Sequence, residues 1–223
     1  MERFEVNILG CGSAVPTARH MTTAQFCCTP FQLIMHPLDT TKQAVLYEDK
    51  EMMVETIPLN HRVPCCGFLF SEKPKLPVLL PEKCKAYGIP PRELGKIKAG
   101  ADWTMEDGRV IPNSELTVAS DFVPRKYAYC SDTAYYPKII PQIQDVDLLY
   151  HEATFISEDE QQAVNAAHST AAQAATIARD AHVGQLAIGH YSIRYDDETA
   201  LLAEAKRIFP NTVASQEGMT IRL

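Results

Sequence analysis

From residue 126 to residue 223, apolar runs of strand length alternate with stretches of helical period, and this restricts the chain to folds in which strands are joined by helices. Residues 126–130 read as a short strand and 147–151 as a buried one. Ser157-Glu158-Asp159-Glu160 has the form of a capping box at a helix start. Ser169 or Thr170 can cap the alanine-rich stretch 171–181, where Ala171, Ala174, Ala175 and Ala178 share one helical face and Gly184 ends the helix. Residues 186–189 are the next strand and 198–209 the next helix, and 212–215 with 219–223 close the sheet.

The first third is different. Phe4, Val6 and Ile8 alternate with Glu5 and Asn7, the period of a half-buried strand, and Gly10-Cys11-Gly12-Ser13 turns the chain. Further β-type runs lie at 33–35, 44–47, 52–57 and 67–70, with no helix of ordinary length before residue 81. Residues 74–100 carry five prolines and two short helix-compatible pieces, 82–87 and 92–98, so the stretch reads as an insertion. After it, Glu106-Asp107-Gly108-Arg109 offers a hairpin turn.

Charge narrows the function classes. The chain has 223 residues and a formal net charge of −7, which argues against broad electrostatic adhesion to nucleic acid, so any such site must be a local patch. One exists: from 71 to 98, Lys73, Lys75, Lys83, Lys85, Arg92, Lys96 and Lys98 stand against Glu72, Glu82 and Glu93. A solvated lysine-rich face and a binding patch both fit this pattern. No apolar run approaches the 18 residues of a membrane span, and the N-terminus lacks the apolar region of a secretory signal, so a soluble cytoplasmic protein with no membrane partner is expected. Seven cysteines, an odd number without any C-x-x-C, suggest reduced core residues rather than disulfides or a thiolate metal site.

Three residues lie just past the ends of predicted strands: His61, Asp132 and His190. Loops at that edge of an open α/β sheet converge and present functional groups. Two imidazoles and a carboxylate suit a borderline metal such as Zn²⁺, and a carboxylate can bridge two ions. A single histidine after a strand also serves as a capping or hydrogen-bonded residue.

Several blocks, in this order and spacing, closely resemble ribonuclease Z: Ile8-Leu9-Gly10-Cys11-Gly12-Ser13-Ala14-Val15-Pro16-Thr17, Pro58-Leu59-Asn60-His61-Arg62-Val63-Pro64-Cys65-Cys66-Gly67, Tyr129-Cys130-Ser131-Asp132-Thr133, Leu149-Tyr150-His151-Glu152-Ala153-Thr154, Ala167-His168-Ser169-Thr170 and Gly189-His190-Tyr191-Ser192-Ile193-Arg194-Tyr195. They span nearly the whole chain. The resemblance implies an α/β chain of the metallo-β-lactamase type, a single αββα sandwich over 1–223 with an inserted flexible basic arm, an exosite, at 71–100. It implies a zinc-dependent endoribonuclease that removes the 3′ trailer of precursor tRNA by attack of a metal-activated water, leaving a 3′-hydroxyl. His61 and His190 become terminal zinc ligands, Asp132 the bridging ligand, His168 the proton donor to the leaving 3′ oxygen and Glu152 its orienter. Lys73, Lys75, Lys83, Lys85, Arg92, Lys96 and Lys98 become contacts to tRNA, and the complete protein a homodimer with two Zn²⁺ per subunit. The other histidines are assigned no ligand role: His36 and His182 are structural, His151 packs or supports the ligands, and His20 is left open.

One departure matters. The family's His-x-His-x-Asp-His motif, which supplies further zinc ligands and the general base, occurs nowhere in this sequence, leaving three of the seven ligands that the resemblance implies. The missing segment is expected at the junction of Phe26 and Cys27. Either the segment belongs to a longer protein and is left out of this sequence, or it is truly deleted. The first is favoured, because deletion would remove core strands of a sheet. With three donors spread over two ion positions, zinc would be weakly held. Two alternatives to the tRNA-processing enzyme stand beside it: a small-substrate phosphodiesterase of the same superfamily, and a metal-free remnant that binds tRNA or dimerises.

Overall fold

The computed structural model describes residues 4–9, 11 and 37–223. The strands are β1 (Glu5–Asn7), β2 (Val45–Glu48), β3 (Met52–Pro58), β4 (Cys66–Glu72), β5 (Val78–Leu79), β6 (Trp103–Thr104), β7 (Val110–Ile111), β8 (Thr117–Val118), β9 (Lys126–Cys130), β10 (Leu148–Glu152), β11 (Gln185–Gly189), β12 (Thr212–Ala214) and β13 (Thr220–Arg222). The helices are α1 (Pro81–Ala86), α2 (Leu94–Lys98), α3 (Asn113–Leu116), α4 (Glu160–Ala166), α5 (Ala171–Asp180) and α6 (Thr199–Ile208). The chain divides into two compact units, Met1–Glu72 with Arg125–Leu223, and Lys73–Pro124. The predicted strand at 33–35, the Phe26–Cys27 junction, His20 and His36 lie outside the described residues.

The first unit is built on a seven-stranded sheet in the order β12-β11-β10-β9-β4-β3-β2. Strands β9 to β12 are parallel, β4 is antiparallel to β9, and β3 is antiparallel to β4. Hence β3 runs the same way as β9, and the C-terminal ends of β3, β9, β10 and β11 share one edge. All five residues of β10 are buried, as a strand flanked by two others and covered on both faces requires. On one face Tyr129 stacks on Tyr150 with ring centroids 5.0 Å apart, and Phe70 on Tyr127 at 5.6 Å. A two-stranded antiparallel sheet, β1 with β13, forms the second β layer among the described residues. Phe4, just before β1, and Val6 of β1, with Met52, Phe70 and Tyr127, line a cavity of about 550 Å³. Helices α5 and α6 pack on each other and on the strands β10, β11 and β12.

Two helix ends differ from expectation. Ser157–Asp159 is a 3₁₀ turn and α4 has no side-chain cap, so the predicted capping box at Ser157 does not form. Its partners are drawn elsewhere: Ser157 N–H donates to Glu204 Oε2 at 2.9 Å, and Glu160 Oε1 accepts from Gln173 Nε2 at 2.9 Å. At α5 the cap is Thr170, in a reciprocal box with Gln173, an arrangement worth about 1 kcal/mol. The helix ends at Asp180, and the left-handed residue beyond it is His182, with φ of 52°, rather than Gly184. Gly184 is needed for another reason: a Cβ there would lie 2.6 Å from the Asp147 carbonyl oxygen.

Glu72 and Arg125 close the first unit where the chain leaves it and returns. The Glu72 side chain is 2% exposed and accepts from Arg125 Nε at 2.7 Å, Nη2 at 2.6 Å and the backbone N–H at 3.0 Å. Burial alone would raise the Glu72 carboxyl, but the hydrogen bonds from Arg125 outweigh it and hold it below the usual carboxylate value. A carboxyl depressed on folding adds stability that is complete above its unfolded pKa and lost as pH falls through the folded value. Glu72→Gln is therefore expected to cost about 1.5–3 kcal/mol at neutral pH. In urea melts the difference from the unsubstituted chain should narrow below about pH 4; a difference that stays constant into acid would show that the charge contributes nothing.

The second unit, Lys73–Pro124, has its own small core of Cys84, Ile89, Ile97, Ile111 and Leu116, joined by Leu79, Tyr87, Leu94, Trp103 and Met105. It therefore takes in the β6–β7 hairpin and α3, beyond the basic stretch that composition marks. Asn113 ties it together, donating through Nδ2 to the carbonyls of Ile97 at 2.6 Å and Ala101 at 2.8 Å. All its basic residues except Arg109 precede residue 99, whereas Asp102, Glu106, Asp107, Glu115 and Asp121 follow. Lys75, Lys83, Lys85, Arg92, Lys96 and Lys98 are exposed, and Lys73 is half-buried. Lys96 pairs with Glu93 at 2.8 Å, and Lys75 Nζ lies 4.3 Å from the centre of the Phe122 ring.

Candidate functional site

At the shared strand edge, the loops after β3, β9, β10 and β11 are fastened to one another. The Asn60 N–H donates to Thr133 Oγ1 at 3.2 Å and the Ala134 N–H to the Asn60 carbonyl at 2.8 Å, which joins the exits of β3 and β9. Ser169 Oγ donates to the Thr133 carbonyl at 2.7 Å, bringing in the turn before α5. Asp132 and His190, each just past a strand, have φ of 60° and 62°. This left-handed conformation costs a non-glycine residue about 1–3 kcal/mol and persists only where the surroundings impose it.

The predicted residues come together here. His190 Nε2 is 3.2 Å from Asp132 Oδ1, and the His168 ring centre is 4.9 Å from that of His61 and 5.0 Å from that of His190. Ligand atoms of His61, Asp132 and His168 lie within 4.8 Å of one another, as do those of Glu152, His168 and His190. His61 is anchored through Nδ1 to the Ala167 carbonyl at 2.8 Å, and His190 through Nδ1 to Thr154 Oγ1 at 2.9 Å. Each ring thus keeps Nε2 for the cluster, the arrangement that supports a metal-binding imidazole. With Asp132 in reach of each, two imidazoles and a carboxylate form a donor set that suits a borderline divalent ion, and His168 is the ring common to both clusters.

Glu152 has a different position. It is fully buried, and its carboxylate accepts from the N–H groups of Thr133 and Ser169, from Thr154 Oγ1 at 2.7 Å and from His168 Nδ1 at 2.8 Å. Four donors occupy its lone pairs, which suits an orienting group better than a ligand. Burial would raise its carboxyl, but the His168 hydrogen bond and the neighbouring His190 and His168 rings hold it below the usual value. Asp132 is also lowered, first by its hydrogen bond from His190. Burial pulls His190 down, yet the bond to Asp132 and the charge of Glu152 leave it raised.

Outside the cluster, His151 is buried, with Nδ1 on the Glu152 carbonyl at 2.8 Å and Nε2 unpartnered among the described residues. His182 is exposed and meets Gln144 Nε2 at 3.1 Å. Sequence reasoning did not single out Thr133, the Ala167 carbonyl or Cys65. Cys65 Sγ–H donates to the Asp132 carbonyl at 3.2 Å, and burial first, then the Asp132 charge, push its thiol up to about 11. Ala167 gives no signal in the sequence, because alanine is not a usual residue at the φ of 59° it adopts.

Gly189 is fixed by the site. A Cβ there would collide with the Tyr150 hydroxyl, which is itself buried without a partner among the described residues. Gly189→Ala is expected to lower stability by about 1–3 kcal/mol through overpacking and to move the His190 ring resonances. An unchanged melting temperature with unmoved His190 signals would show that Tyr150 yields freely.

Among known proteins, the chain is 38% identical to ribonuclease Z of Bacteroides fragilis over 305 positions that take in 100% of both chains. With 223 residues placed on 305 positions, at least 82 of those positions hold no residue of this chain. It is 48% identical to ribonuclease Z of Porphyromonas gingivalis over 200 positions, covering 89% of this chain and 66% of the relative. A metallo-β-lactamase fold protein from Bacillus subtilis superposes with a TM-score of 0.52 at 18% identity, over 81% of this chain and 53% of that one. The chain matches no protein-family model.

Proposed function

The chain belongs to the ribonuclease Z family, with the metallo-β-lactamase fold, and from that premise we propose that it is the scaffold of a zinc-dependent endoribonuclease that removes the 3′ trailer of precursor tRNA, leaving a 3′-hydroxyl. The observation that carries the reading is the buried Glu152 carboxylate bonded to His168 Nδ1, with His61, Asp132 and His190 gathered beside that ring. His61 and His190 through Nε2, with Asp132 between them, would hold the metal. A bound divalent ion supplies Lewis-acid polarisation of the phosphodiester and activation of water. The rest is done by this chain. Glu152 fixes His168 with Nδ1–H toward the carboxylate, so Nε2 is the nitrogen that can pass a proton to the leaving 3′ oxygen. We place the segment that the relatives carry, which holds the remaining metal ligands, at the junction of Phe26 and Cys27. Without it, three donors over two ion positions complete neither shell.

We further propose that the lysine-bearing face of Lys73–Pro124 grips tRNA away from the cut, and that the protein works as a cytoplasmic homodimer. Among the described residues no helix is long and apolar enough to cross a membrane. Cleavage of 3′-extended tRNA by the complete protein with zinc or manganese tests the reading; no cleavage sinks it. Removing the second unit, Lys73–Pro124, should weaken tRNA binding and leave hydrolysis of a small phosphodiester intact. Unchanged turnover of the enzyme's own substrate after that deletion would instead favour a small-substrate phosphodiesterase. Lys83→Glu with Lys85→Glu should flatten the salt dependence of tRNA binding, by a log–log slope of about 0.7–0.9 for each phosphate that a lysine no longer neutralises. Because the His-x-His-x-Asp-His motif is absent, a second reading stands: a metal-free tRNA-binding or dimerising remnant, in which His61→Ala and Asp132→Ala change no measured property.

A further inference from the structure

Thr154 closes the His151-Glu152-Ala153-Thr154 block and is 4% exposed. Its hydroxyl oxygen lies 2.7 Å from Glu152 Oε2, 2.9 Å from His190 Nδ1 and 3.0 Å from the His190 carbonyl oxygen. A hydroxyl has one hydrogen to donate. Glu152 Oε2 and the carbonyl can only accept, so that hydrogen goes to one of them. Toward Nδ1 the hydroxyl can then only accept, and Nδ1 must carry the hydrogen. When the ring is neutral its lone pair is therefore on Nε2, the atom 3.2 Å from Asp132 Oδ1.

Asp132 makes the opposite demand, since a carboxylate beside Nε2 favours a hydrogen there. The two demands are unequal. The Asp132 side chain is 45% exposed, and water screens it, whereas the Glu152 side chain behind Thr154 is 0% exposed. We propose that Thr154 is a positioning residue that relays the buried Glu152 carboxylate to His190, holding the ring in its Nδ1–H form and turning the Nε2 lone pair to the metal site. Glu152 then sets both imidazoles, His168 directly and His190 through one hydroxyl. The relay rests on the reading of His190 as a metal ligand, and separate readouts of the ring hydrogen and of zinc binding distinguish the two.

Ring ¹⁵N shifts of His190 are to be recorded in the zinc-free chain at a pH where the ring is neutral, for the unsubstituted protein, Thr154→Ser and Thr154→Val. The first two should show hydrogen on Nδ1 and a bare Nε2. In Thr154→Val, Asp132 is the remaining partner, and the hydrogen should move to Nε2. Calorimetric titration of the complete protein with zinc chloride should show binding weakened by about 10–100-fold in Thr154→Val and within ~3-fold of the unsubstituted protein in Thr154→Ser. A Thr154→Val ring with the unsubstituted pattern overturns the relay. So does hydrogen on Nε2 in the unsubstituted chain, a result that needs no variant to fold. A complete protein with the Nδ1–H ring that binds no zinc supports the relay and overturns the metal reading.

Discussion

Glu152→Gln is expected to destabilise the fold by about 2–4 kcal/mol, because it leaves buried donors of a closed hydrogen-bond network without acceptors. The carboxylate accepts from Thr133 N, Ser169 N, Thr154 Oγ1 and His168 Nδ1, and no water reaches it. An amide of the same size presents one acceptor and two donors, so at least one of these four hydrogens meets another hydrogen instead of a lone pair. A buried donor left without a partner costs about 1–3 kcal/mol by itself. The effect should be local in origin but global in readout, because those donors fasten the loops after β9 and β10 and the turn before α5 together. Urea unfolding measures it as a lowered midpoint with an unchanged slope. A loss below about 1 kcal/mol would mean that the network is not closed as described.

His168→Ala is expected to lower kcat on 3′-extended tRNA by about 10²–10⁴-fold with little change in KM, the signature of a group that acts in proton transfer. His168 belongs to both donor clusters, so the same variant decides between two roles for it. As a proton donor oriented by Glu152, it can be removed with zinc affinity almost unchanged. As a metal ligand, its loss would weaken zinc binding in step with turnover. A parallel fall in both quantities would overturn its assignment as the proton donor. Unaltered turnover would remove His168 from the reaction.

The sequence was informative where local chemistry repeats or alternates. The run Lys126–Cys130 is a strand at its predicted bounds, the strand predicted at 147–151 forms one residue later at Leu148–Glu152, and the one predicted at 186–189 starts one residue earlier at Gln185–Gly189. The apolar alternation of β1 and the helical face of α5 were legible because each is set by the residue's own neighbours along the chain. The placement of His61, Asp132 and His190 just past strand ends was legible for the same reason, and the family resemblance supplied Glu152 and His168.

What the sequence could not show is decided by partners far away in it. Ser157 and Glu160 have the letters of a capping box, but Glu204 and Gln173 take their hydrogen bonds, because helices packed side by side offer competing partners that no local window contains. The second unit reaches Pro124 although its basic signal ends at Lys98, since a core is defined by what buries Ile97 and Leu116, not by charge. The parallel direction of β3 and β9 brings His61 to Asp132 across 71 positions of sequence. The left-handed turns at Asp132, Ala167 and His190 are paid for by the packing around them. Sequence alone named the groups at the site; the tertiary hydrogen bonds to Ala167, Thr154 and Glu152 determined which nitrogen of each ring faces it, because a tautomer is chosen by what lies on the ring's other side.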